Sequence, residues 1–167
     1  MPSVLFVCTA NQYRSPLAAL SFSRALLNNR PPGKWVVESA GTWAKAGVTP
    51  QSFMVKIAKE LGLQGLEEHR SQQVTRKMIE EFDLILVMEL GHKEALRSEF
   101  LSAQKRIYLL SEVAEGGSYD IVDPITPDVD PAKIASQIDQ LIIKGFGRIV
   151  EAAEFFERKR NAVSRGA

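Results

Sequence analysis

A chain of 167 residues, 45% of them hydrophobic, fits one domain able to bury a core without covalent staples. Its formal charge of +1 is spread along the sequence, so neither nucleic acid nor an anionic membrane is an expected partner. A single cysteine excludes an internal disulfide, no charged segment precedes an apolar stretch at the N-terminus, and no apolar run is long enough to span a bilayer. A cytoplasmic protein is therefore expected.

Ser3 to Val7 is a short apolar run suited to a strand covered on both faces, and from Pro16 the apolar residues Leu17, Leu20, Ala25, Leu26 and Leu27 recur at helical spacing. The spacing predicts strand, tight loop, helix, with Ser15 as the helix cap and the helix closed between Asn28 and Gly33. Lys34 to Glu38 reads as a second strand. Ser39-Ala40-Gly41-Thr42 follows, with a loop to Pro50 and then a helix from Gln51 to Leu61 stopped by Gly62. Val74 to Glu81 predicts a shorter helix, Asp83 to Met88 a strand, Gly91 to Leu101 a helix and Arg106 to Leu110 a last strand. From Pro131 to about Lys159, the spacing of Ile134, Ile138, Leu141, Ile142, Ile149 and Phe156 predicts one long amphipathic helix, with Gly145 and Gly147 as places where it could bend.

Strands alternating with helices pair in parallel through right-handed crossovers. The expected fold is a single-domain α/β three-layer sandwich, with a central four-stranded parallel sheet flanked by helices. It occupies residues 1–160, followed by a basic tail at 161–167 that reads as a solvated helix end. In such a sheet the ligand site lies beyond the carboxyl ends of the strands, which is where the first strand delivers Cys8.

Cys8 and Arg14 stand in the spacing C-x5-R, with Ser15 directly after. A tight loop between strand and helix turns successive backbone N–H groups inward, and the positive end of the helix dipole adds to that field. The result suits a tetrahedral oxyanion. A guanidinium offers a planar fork matched to two phosphate oxygens, so Arg14 would bind and orient the group. The same donors favour thiolate over thiol at Cys8, and Ser15 could donate a hydrogen bond to the sulfur. A thiolate aimed at a bound phosphoryl group implies covalent catalysis. Transfer from an ester also needs a proton for the leaving oxygen, and an aspartate at the pocket mouth can supply it. Tyr119-Asp120-Ile121-Val122-Asp123-Pro124 offers two aspartates.

Val7-Cys8 through Arg14-Ser15-Pro16 resembles the phosphate-binding loop of low-molecular-weight protein tyrosine phosphatases, usually Cys-x-Gly-Asn-x-Cys-Arg-Ser, with Cys8, Asn11, Arg14 and Ser15 matching. The likeness extends to Glu38-Ser39-Ala40-Gly41-Thr42, His69-Arg70-Ser71, Asp83 to Glu89 and Asp123-Pro124. The resemblance implies Cys8 as nucleophile, Arg14 as oxyanion ligand and Asp123 as general acid. The loop residues Thr9, Ala10, Asn11, Gln12, Tyr13 and Ser15 would line the substrate, with Trp43 at its wall. It also implies a supporting network of His69, Ser39, Ser15 and Asn11. The substrate implied is a phosphorylated protein, foremost protein phosphotyrosine, with a tyrosine kinase as a candidate partner, no cofactor or metal, and a monomeric enzyme.

The sequence departs from the family form at several points. Ala10 replaces a glycine, which requires a negative φ there, whereas Asn11 suits a positive one. Tyr13 replaces a second cysteine, so no protective disulfide with Cys8 can form. Gln12 and Ile125-Thr126 stand where relatives that act on phosphotyrosine carry apolar and aromatic residues, which leaves phosphoarginine or a small phosphoester open as substrates. Two other readings compete with phosphatase chemistry. One is a thiol-dependent arsenate reductase, disfavoured because internal disulfide relays need more cysteines, and the other is a non-catalytic phosphate-binding module. His92 shows no partner in the sequence and is expected on an exposed helix face.

Overall fold

The computed structural model describes residues 1–165. Strands β1 (Ser3–Cys8), β2 (Val36–Gly41), β3 (Leu84–Val87) and β4 (Ile107–Leu109) form one parallel sheet in the order β2-β1-β3-β4. Helices α1 (Arg14–Asn29), α2 (Ser52–Glu60), α3 (Arg76–Glu81), α4 (Leu90–Glu99), α5 (Leu110–Glu115) and α6 (Pro131–Arg165) connect and cover it. Short 3-10 turns occupy Leu66–Glu68 and Leu101–Arg106.

Alternation along β1 builds the two outer layers. Val4 and Phe6 join Leu84 and Leu86 on the face packed by α1 and α6, while Leu5 and Val7 join Ile85 and Val87 on the face packed by α3 and α4. All six residues of β1 are buried, as expected for a central parallel strand. Each apolar side chain of this size buried on folding contributes about 1.5–3 kcal/mol before the entropy of ordering is subtracted. At the opposite end from the loop, the buried Asp83 carboxylate accepts from the Ser3 backbone N–H at 2.9 Å and from its hydroxyl at 2.7 Å, fixing the starts of β1 and β3 together.

β2 begins and ends later than its sequence suggests, at Val36 and Gly41, because Phe6, Val7 and Cys8 pair with Ser39, Ala40 and Gly41. Ladder pairing overrides the weak strand preference of these small residues. The turn at the end of β4 also differs: Leu110 starts α5 rather than ending a strand.

α6 is one helix that continues past Lys159 to Arg165, and Gly166 and Ala167 lie outside the described residues. The part of the expected tail from 161 onward that is described thus continues the helix. No helix among the described residues is long and apolar enough to cross a membrane. Gly145 has a packing role: a Cβ there would sit 2.4 Å from the Ala114 Cα, so its absence lets α6 lie directly on α5. Gly145→Ala gains roughly 1 kcal/mol of helix propensity but overpacks against backbone, at about 1–3 kcal/mol. Backbone cannot yield as a side chain would, so the variant is expected to be destabilised by about 1–2 kcal/mol in urea unfolding.

Candidate active site

β1 ends at Cys8, and the chain turns through residues 9–13 into α1, so the loop lies over the carboxyl end of the central strand. α1 starts at Arg14, one residue before the predicted cap. Its N-cap is Tyr13, and no side chain caps it. Ser15 is the second residue of the helix, past the capping position, and its hydroxyl lies 2.9 Å from Cys8 Sγ. The uncapped first-turn N–H groups face the loop with the positive end of the helix dipole.

The Ser15 hydroxyl has three partners. Asn11 Nδ2 donates to Ser15 Oγ at 3.0 Å, so the hydroxyl accepts on one side and its single proton points to the sulfur or, at 3.3 Å, to the Ala40 carbonyl. Asn11 Nδ2 also donates to Ser39 Oγ at 2.9 Å, and Asn11 Oδ1 accepts from the Gln72 backbone N–H at 2.9 Å. His69 Nε2 lies 2.8 Å from the Asn11 carbonyl and donates to it, because a carbonyl can only accept. Asn11, Ser15, Ser39 and His69 are therefore brought together around one backbone position, and Gln72 is added to them. Asn11 has φ of 55°, in the left-handed region that asparagine tolerates. Among the described non-glycine residues only Arg30 and Asp128 share a positive φ, so Ala10 keeps a negative one.

β2 passes close under the loop. Thr42 N–H donates to the Cys8 carbonyl and Trp43 N–H to the Thr9 carbonyl, each at 2.9 Å. A Cβ on Gly41 would meet the Thr9 oxygen at 2.3 Å, so this approach requires glycine. Trp43 is 86% exposed, with only its backbone engaged beside Thr9. Its indole stands at the rim rather than in the packed interior.

Arg14 is 2% exposed, and three of its five N–H donors are engaged. Nη1 donates to Glu89 Oε1 and, at 2.7 Å, to the Ile121 carbonyl, while Nη2 donates at 2.8 Å to Asp123 Oδ2. The segment carrying Asp123 is thus held over the loop through a guanidinium 109 residues away in sequence. Asp120 is used differently, accepting from the Leu90 backbone N–H at 2.7 Å.

His92 is not exposed as its sequence suggested but buried, with ring contacts on both nitrogens. Nδ1 accepts from the Glu89 backbone N–H at 3.2 Å, so the neutral ring carries its proton on Nε2, which lies 2.8 Å from Thr9 Oγ1. Glu89 and His92 thereby tie the start of α4 to Arg14 and to the loop. Sequence reasoning missed both. The available signal was a Glu-x-x-His placed where β3 delivers the chain to the same sheet edge as Cys8. Tyr13, in the position of the family's second cysteine, is buried and donates from its hydroxyl to the Pro131 carbonyl at 2.5 Å. Among the described residues no group of three or more His, Cys, Asp or Glu could hold a metal ion.

The family model described as low molecular weight phosphotyrosine protein phosphatase matches residues 3–152. A protein-arginine-phosphatase of Geobacillus stearothermophilus is 32% identical over 140 residues, covering 83% of this chain and 90% of its own. A probable low molecular weight protein-tyrosine-phosphatase, EpsP, of Ralstonia nicotianae is 34% identical over 122 residues, covering 73% and 77%. The crystal structure of a YwlE mutant from Bacillus subtilis superposes with a TM-score of 0.78 at 26% identity, over 86% of this chain and 95% of that one.

Burial lowers both histidines from their ordinary value. At His69 the Asn11 carbonyl opposes the shift and Arg70 reinforces it, and at His92 Glu89 opposes it and Arg14 reinforces it. The unfolded chain therefore takes up protons first as pH falls. Stability is fully present above about 6.5 and is lost progressively as pH drops from there through the lowered values. In thermal unfolding across that range, His92→Gln is expected to show a shallower acid loss than wild type, the remainder belonging to His69. Asn11→Ala removes three side-chain hydrogen bonds and leaves a left-handed backbone without asparagine. Its cost in urea unfolding should be about 3 kcal/mol or more.

Proposed function

The chain belongs to the low molecular weight phosphotyrosine protein phosphatase family and is a phosphatase of that type, and from this premise we propose that it hydrolyses phosphorylated protein side chains through a cysteinyl-phosphate intermediate on Cys8. The observation that carries the mechanism is the convergence of the Cys8 sulfur, the Ser15 hydroxyl and the Arg14 fork bearing Asp123 at one strand end.

The phosphoryl group enters above Cys8, with its oxygens held by the loop N–H groups from Thr9 to Tyr13 and by Arg14. Nη2, engaged by Asp123 in this structure, is the donor that a phosphoryl oxygen would take, so substrate and acid loop share one guanidinium. The Cys8 thiolate attacks phosphorus in line. The S–P bond forms, the bond from phosphorus to the leaving atom breaks, and that atom takes the proton of Asp123. Water then attacks phosphorus while Asp123 takes a proton back. The electron pair of the S–P bond returns to sulfur, where the Ser15 hydroxyl, which accepts from Asn11, stabilises the leaving thiolate.

Protein phosphotyrosine is the substrate this reading favours, with exposed Trp43 available to meet an aryl ring at the rim. A phosphoarginine substrate is the second reading. It is supported by the arginine-specific relative and by the residue after Asp123-Pro124, an Ile125 that is 82% exposed rather than an aromatic wall. The lone thiol suits a reducing cytoplasm.

Cys8→Ser is expected to abolish turnover of aryl phosphates while retaining phosphate binding by calorimetry. Asp123→Ala should lower kcat on phenyl phosphate by about 10²–10⁴-fold and have a smaller effect on 4-nitrophenyl phosphate, whose leaving group needs little protonation. Equal losses on both substrates would remove Asp123 from the acid role. Parallel assays on phosphotyrosine and phosphoarginine peptides decide between the two substrates.

A further inference from the structure

A second feature lies at the other edge of the sheet, where β4 is covered by the last turns of α6. A cleft of about 470 Å³ is lined there by Arg97, Gln104, Lys105, Tyr108, Phe155, Phe156 and Lys159. Its walls carry three cations, three aromatic rings and an amide, and no carboxylate.

The aromatic floor is continuous, since Tyr108 and Phe156 ring centroids lie 6.2 Å apart and Phe155 and Phe156 5.2 Å apart. Arg97 sits 5.5 Å over the Tyr108 ring and donates to the Ile107 carbonyl, and Lys159, 4.5 Å over the Phe155 ring, carries its charge at the rim. Phe155 is 43% exposed, and Lys105 and Lys159 are exposed. Three neighbouring acids are engaged, Glu112 with Lys93, Glu154 with Arg158 and Glu157 with the N-terminal amine, while the exposed Glu151 lines an adjoining pocket that shares Tyr108, Phe155 and Phe156.

This cleft is held in shape. The stretch of α6 that supplies Phe155, Phe156 and Lys159 lies beyond the span matched by the family, yet it is clamped to the body of the protein. Arg160 pairs with the buried Asp83 at 3.0 Å and donates to the Glu81 carbonyl, and Glu157 holds Met1. In a chain of net charge +1, three cations over an aromatic floor, in a cleft whose own lining holds no carboxylate, form a local positive site.

We propose that this cleft is a docking site for an acidic, aromatic-containing segment of the protein substrate, bound apart from the phosphorylated residue. The inference rests on the reading that the substrate is a protein. Carboxylates of such a segment would meet Lys105 and Lys159, with Arg97 adding charge behind them while it holds the Ile107 carbonyl, and an aromatic side chain would pack on the exposed Phe155 edge of the floor. A short acidic segment fits better than nucleic acid, because Glu151 and Glu154 stand beside the cations flanking the cleft, where they would repel a phosphate backbone running past it.

The test uses a fluorescently labelled peptide of glutamate and tyrosine, unphosphorylated, and follows anisotropy on the full chain. Binding that weakens with salt is expected, with an affinity loss of about tenfold or more in the double variant Lys105→Glu, Lys159→Glu. Phe155→Ala, which leaves the charges in place, should also weaken it. Both variants should turn over 4-nitrophenyl phosphate like wild type, and the double variant should show a raised KM on a phosphopeptide carrying an acidic flank. Peptide binding unaffected by either variant, or binding of single-stranded RNA in preference to the peptide, would overturn the proposal. Loss of aryl phosphate turnover in the wild type would instead strike the phosphatase reading, since anisotropy requires no catalysis.

Discussion

The loop at the end of β1 depends on one buried asparagine. Asn11 occupies a left-handed backbone conformation that costs an ordinary residue about 1–2 kcal/mol, and the surrounding hydrogen bonds make that conformation the stable one. Its amide nitrogen reaches Ser15 and Ser39, its amide oxygen the Gln72 N–H, and its own carbonyl receives His69. Because the residue is fully buried, each of these groups would be costly to leave unpaired. The same bond that satisfies Asn11 Nδ2 takes one lone pair of the Ser15 hydroxyl, and toward a thiolate the hydroxyl can offer only its proton. Backbone shape and sulfur chemistry are thus set by a single side chain.

That arrangement requires the neighbouring strand to come unusually near, which explains the composition at the end of β2. Ser39, Ala40 and Gly41 are poor strand formers, and the sequence alone favours a strand ending at Glu38. They pair with Phe6, Val7 and Cys8 all the same, because a larger residue at 41 would strike the Thr9 carbonyl. Long apolar runs such as β1 and β3 were legible because burial on both faces leaves a continuous signal, and the long amphipathic helix was legible from its period. α5 was not, since its first residue reads as the end of the strand before it and six residues carry little periodicity.

The site divides along the same line. Cys8, Arg14, Ser15 and Asn11 lie within one short stretch whose spacing alone suggests their chemistry, whereas Glu89 and His92 meet the loop only because β3 lies beside β1 in the sheet. Nothing local marks His92 as buried: it sits in the first turn of a helix with polar neighbours. Its role becomes visible only when Thr9, Glu89 and Arg14 are seen together. Trp43 shows the converse, since its place after the Gly41-Thr42 turn is as the sequence suggests, yet its ring lies in solvent at the rim.

Tyr13 shows how the loop is held without a second thiol. A cysteine at this position could close a disulfide onto Cys8, whereas the buried tyrosine reaches the start of α6. Burial and the nearby Asp130 carboxylate push its phenol well above the ordinary value, so it remains a neutral donor to the Pro131 carbonyl across the working pH range. The loop is consequently tied to β2 through Ser39, to α4 through His92 and to α6 through Tyr13. Three anchors on three separate elements constrain it more evenly than one covalent link would, while Cys8 remains a free thiol.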